Sequence, residues 1–253
     1  MIAFSESQLL LWVSAWLLPF FRILAVMSSA PVLSSRSIAL RTKLGLAAIL
    51  AVTVAPFAPL PLDFSIASPM AIAAILRELM IGLALGFLTR LVLLVFELCG
   101  EMVGLQMGLS YAGYFSPNAG QGNAVASFTG ILGSWLFVIV NGPVLLLGCL
   151  IHSYERFPVG SALPDIKMLN TGVMVGFLSD IFSMALLLAL PVLAVLLLVN
   201  FAMGVATKIA PQLNLFAVGF PVLLLCGMGM LGLVMPHFEE TLTKSLTMVF
   251  SLW

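Results

Sequence analysis

The sequence predicts an all-α membrane protein of about six long apolar helices, and three observations lead there. Hydrophobic residues make up 62% of the 253 positions and charged residues 8%, against ~45–50% and ~25% in soluble domains. Long stretches carry no charge at all: Leu44–Leu62, Met102–Tyr154, Ile181–Thr207 and Ile209–Phe238, each long enough to cross a bilayer at least once. The apolar runs are continuous rather than alternating with period two, which favours helices over a membrane barrel. Backbone groups in hydrocarbon must pair internally, so no third architecture is open.

Taken in order, the expected segments are 8–28, 40–62, 70–107, 124–151, 172–207 and 213–235. The N-terminus carries Glu6 and no Lys or Arg before Arg22. It therefore lacks the basic start of a cleavable signal, and the first apolar segment is expected to stay in the mature protein. The third and fifth segments, at about 1.5 Å per residue, would run ~55 Å, well beyond a hydrocarbon core of ~30 Å. They are expected to kink, for instance near Pro191, or to project beyond the bilayer. Arg22, Arg77, Glu78, Arg90, Glu97, Glu101 and Asp180 interrupt apolar runs. Each costs at least ~2.5–3.5 kcal/mol at a bilayer centre, so each is expected to face protein or water.

At ~100° per residue around the third segment, Gly82, Gly86, Arg90, Glu97, Gly100, Glu101, Gly104 and Gly108 share one sector. Phe87, Leu88, Leu91, Val95, Leu98 and Met102 take the other. Glycines at four-residue spacing let helix backbones approach closely. Three charges on one stripe exceed what a small bundle offers as partners, so the stripe is read as a contact with neighbouring subunits or as lining a wet interior. Gly108–Gly122 follows, with four glycines, one proline, no charge, and the aromatics Tyr111, Tyr114 and Phe115. It reads either as a membrane-interface loop with its aromatics at headgroup level or as a re-entrant or pore-occluding loop, since irregular backbone at membrane depth is tolerated only inside protein or a cavity.

Chemistry of the enzymatic kind finds little support. His152 and His237 have no metal-ligand neighbours, and no HExxH, Walker or GxSxG pattern occurs. Cys99, Cys149 and Cys226 lie far apart in apolar stretches, as small buried hydrophobes do. No catalytic residue, metal or cofactor is expected, and zero net charge argues against nucleic acid. Glu239, Glu240 and Lys244 read as the solvated face of a C-terminal amphipathic tail, 236–253. Arg36, Arg41 and Lys43 place the first loop in the cytoplasm, with Lys208 on the same side.

Two stretches bring a family into view. GEMVGLQMGLSYAGYFSP (Gly100–Pro117) resembles the Gly-rich central block of the FliR family of flagellar and type III secretion export-gate proteins. KIAPQLNLFAVGFPV (Lys208–Val222) is similar to that family's C-terminal signature. Length and segment order agree throughout; Ser116 stands where the family commonly has an acidic residue. The resemblance implies a FliP-like helical region over 1–171 and a FliQ-like helical hairpin over 172–235. It also implies a hetero-oligomer with FliP and FliQ in the bacterial inner membrane, within the flagellar basal body. Such a complex passes unfolded flagellar proteins out of the cytoplasm. Tyr111, Gly113, Tyr114, Phe115, Pro117, Gly120 and Gly122 then match the pore plug. Lys208, Pro211, Gln212 and Asn214 match a cytoplasmic hairpin turn facing FlhB. The alternatives are the equivalent subunit of a virulence injectisome, or a small-solute transporter built around Arg90, Glu97 and Glu101. A transporter should show internal repeats, and no convincing one is present.

Overall fold

The computed structural model describes residues 6–35, 38–58, 70–109, 123–159, 171–210 and 215–251. Among them are eight α-helices: α1 (Glu6–Ser29), α2 (Leu40–Val54), α3 (Met70–Gln106), α4 (Ala124–Ile139), α5 (Gly142–Arg156), α6 (Thr171–Ile209), α7 (Leu215–Val234) and α8 (Pro236–Ser251). No strand occurs among the described residues. Among the described residues four helices are long and apolar enough to cross a membrane, or six spans if α4 with α5 and α7 with α8 each count as one. The protein is an all-α integral membrane protein.

Two departures from the expected segments have local causes. Segment 124–151 is two helices, because Asn141 adopts a left-handed conformation (φ 57°) and Pro143 follows at the start of α5. Asn tolerates that region, and proline is favoured in a first helical turn, where its missing N–H is not needed. Segment 40–62 stops being α-helical at Val54, where Pro56 starts a single 3-10 turn, Ala55–Phe57. α6 runs as one helix of 39 residues through Pro191. Both overlong helices therefore persist, α3 with 37 residues.

The chain clusters into two compact units that interleave along the sequence. The first comprises α1, α2, the N-terminal half of α3, α5 and the last turns of α8. Its core joins Leu18, Ile23 and Val26 of α1 to Ala47, Ala51 and Val54 of α2, with Leu85, Leu146 and Leu150. Small alanines at four-residue spacing let α2 lie close on α1, and the Trp16 indole N–H donates to the Ala48 carbonyl at 3.3 Å.

The second unit comprises the C-terminal half of α3, α4, most of α6, α7 and the start of α8. Phe96 and Phe238 meet with ring centroids 5.2 Å apart, and the Ser245 hydroxyl donates to the Met184 sulfur at 3.2 Å. The apolar stretch of α3 is 61% buried and that of α6 only 33%. Thus α3 is a core helix, whereas α6 exposes Leu187, Leu198, Phe201 and Ile209. An apolar surface of that extent faces lipid or other chains rather than water. On α8, Phe238, Leu242, Leu246 and Val249 are buried while Glu239, Glu240 and Lys244 are exposed, the arrangement its sequence pattern predicts.

Candidate functional site

The glycines of the α3 stripe lie against other helices of this chain. In the first unit a Cβ at Gly82 would sit 2.7 Å from Ala25 Cβ, and one at Gly86 would sit 2.8 Å from the Ala30 backbone nitrogen. In the second unit a Cβ at Gly100 would lie 2.7 Å from Ala126 Cα, and one at Gly104 would collide with the Asn123 amide. Separations under 3 Å force a shift, so these glycines are required for α3 to lie against α1 and against the start of α4. Gly108 lies beyond the helical stripe. Its φ of 83° ends α3, with Leu109 N–H donating to Gly104 C=O and Gly108 N–H to Leu105 C=O, both at 3.1 Å. That pair of bonds is the Schellman helix stop, which favours glycine at this position.

The stripe's charges take other positions. Arg90, Glu97 and Glu101 are exposed. In the second unit Glu97 and Glu101 line a groove of about 670 Å³ between α3 and α4, together with Ser127, Ser134 and Trp135. Asn123 builds one end of it. Its side-chain oxygen accepts from Val125 N–H at 3.0 Å and caps α4. Its amide nitrogen donates to the Gly100 and Glu101 carbonyls at 3.4 and 3.3 Å.

A second polar centre, in the first unit, escapes sequence reading except for its charges. Arg22 and Glu78 form an ion pair at 2.6 Å with both side chains fully buried. The same guanidinium donates to the Ser153 hydroxyl at 3.0 Å and the Phe157 carbonyl at 2.9 Å, and lies 4.0 Å from the Tyr154 ring centroid. Arg77 donates to the Pro158 carbonyl at 3.0 Å. Three helices and the stretch of chain after α5 are thereby tied together by charge-assisted bonds, the stronger kind. Arg22, Arg77 and Glu78 face protein, as the insertion cost demands. Ser153 and Tyr154 carry no signal in sequence, because their role depends on a partner, Arg22, that lies 131 residues from Ser153.

Lys208 is exposed in the last turn of α6. Pro211, Gln212 and Asn214, and the plug residues Tyr111, Gly113, Tyr114, Phe115, Pro117, Gly120 and Gly122, lie outside the described residues. Among the described residues no three His, Cys, Asp or Glu side chains gather as a metal site would require.

These features define an integral membrane protein built from overlong helices, with polar centres that tie helices together. The chain belongs to the bacterial export proteins, family 1, whose profile matches residues 13–249. It is 37% identical to the flagellar biosynthetic protein FliR of Pectobacterium carotovorum subsp. carotovorum, over all of this chain and 96% of that one. It is 33% identical to FliR of Escherichia coli K12, again over all of this chain and 96% of the relative. With FliR of Bacillus subtilis 168 the identity is 28%, over 82% and 81%.

Proposed function

We propose that this chain is a structural and gating subunit of the flagellar type III protein-export gate, helping to form the channel through which unfolded flagellar proteins leave the cytoplasm. The observation that carries the reading is 37% identity to a flagellar biosynthetic protein over the whole chain. Helices of 37 and 39 residues support it: both exceed a hydrocarbon core of ~30 Å and suit a complex that extends beyond the bilayer. FliP and FliQ are the proposed co-subunits and FlhB the proposed neighbour at Lys208–Asn214, in the bacterial inner membrane. Residues 1–171 would be the FliP-like part and 172–235 the FliQ-like hairpin. The stripe from Gly82 to Gly108 would meet other subunits, with Arg90, Glu97 and Glu101 exposed for that contact. The segment Tyr111–Gly122 would occlude the closed pore. Deleting the gene should abolish flagella and export of flagellar proteins, with return on complementation. Normal export without the chain would refute the proposal. A cysteine at Gln212, with the native cysteines replaced, should react with an impermeant thiol reagent only from the cytoplasmic face; labelling from outside would remove the basis for an FlhB contact.

A further inference from the structure

The groove between α3 and α4 has walls of two kinds. Glu97 and Glu101 stand one helical turn apart on the α3 side, about 6 Å along the axis. On the α4 side Trp135 and Ile131 are 68% and 59% exposed. Glu97 is held in place: its stem lies across Gly130, where a Cβ would come within 2.8 Å of Glu97 Cγ. The Glu101 end is held by the Asn123 bond to its carbonyl. Among the described residues neither carboxylate has a cation at ion-pair distance. Lipid tails do not suit two carboxylates, and open water does not suit the Trp135 and Ile131 face. An apolar helix carrying two basic side chains, three or four residues apart, satisfies both walls at once.

This chain cannot supply that helix from a second copy. Its ten basic residues are Arg22, Arg36, Arg41, Lys43, Arg77, Arg90, Arg156, Lys167, Lys208 and Lys244, and no two stand three or four apart. We propose that the groove receives a helix of a different membrane subunit, whose paired Lys or Arg side chains bind Glu97 and Glu101. The proposal rests on the gate-subunit reading above and adds to it the place and chemistry of one contact.

The test uses the complex purified from native membranes. A photo-crosslinking residue at Ser134 should capture a peptide of another membrane chain that contains two basic residues three or four apart. Glu97→Gln with Glu101→Gln should lower recovery of that chain at least tenfold at unchanged membrane level of the mutant. Exchanging the partner's basic pair for glutamate, together with Glu97→Lys and Glu101→Lys, should restore it. Adducts confined to lipid, to a second copy or to this chain's own residues 110–122 would overturn the proposal, as would undiminished recovery from the double glutamine variant. If the unmodified chain brings no other subunit with it, the gate reading itself falls.

Discussion

Replacing Arg22 by Met should cost this protein more stability than any single surface change. The substitution removes the bond to Glu78, with about 1.5–3 kcal/mol typical of bonds to charged groups. It also removes the charge-assisted bonds to Ser153 and Phe157 and the stacking on the Tyr154 ring. Glu78 is then left fully buried without its cation. Removing one partner of a buried pair costs about 3–5 kcal/mol. Arg22→Met should stand near the upper end of that range, because the guanidinium also serves Ser153, Phe157 and Tyr154. At about 2–4 °C per kcal/mol for a chain of this size, Tm should fall by about 10–20 °C. The assay is thermal unfolding of the detergent-solubilised complex followed by tryptophan fluorescence, since Trp16 packs against the same core. Adding Glu78→Leu to Arg22→Met should recover part of the loss, because apolar replacement of both partners removes the stranded charge. A fall of less than about 2 °C for Arg22→Met, or a double variant as unstable as the two singles combined, would mean that the Arg22–Glu78 pair does not hold these helices together.

Other substitutions separate packed positions from open ones by the same assay. Gly104→Ala, which drives a methyl into the Asn123 amide, should cost about 1–3 kcal/mol by overpacking. Gly229→Ala, with nothing within 4 Å, should be neutral or gain about 0.5–1 kcal/mol; equal effects would contradict the helix packing described. Asn123→Ala should lose about 0.5–2 kcal/mol with the α4 cap, and Asn123→Asp, which keeps the capping oxygen, should lose less. Deleting the central residues of 108–122 should make cells expressing the gate permeable to small solutes. Unchanged conductance with assembly intact would remove the plug proposal.

What sequence revealed and what it hid follow from the range of the forces involved. The bounds of α1, α3, α6 and α7 lie within two residues of the expected segments, because long apolar runs are a local property. The break at Val140–Asn141 is also written locally, in Asn141-Gly142-Pro143, but it lies in a charge-free stretch where hydropathy carries no mark of it. Glycines at four-residue spacing mark a face of α3 on which backbones can approach closely, yet angular position cannot say which helix fills it. The answer is α1 for Gly82 and Gly86 and the start of α4 for Gly100 and Gly104. Gly108 shares the sector but serves to end the helix, which depends on φ rather than on spacing. Arg22 and Glu78 are each legible as costly, but their pairing across 56 residues needs the fold.

If this chain works as one subunit of a mixed export gate, the intact mass of the complex it forms will show it. Released from native membranes in mild detergent and weighed whole, the assembly should far exceed the 27.0 kDa of the single chain. On dissociation it should yield at least two other kinds of membrane chain. A particle of 27.0 kDa, or of whole-number multiples of it with no other chain present, would mean that the chain is not a subunit of a mixed gate.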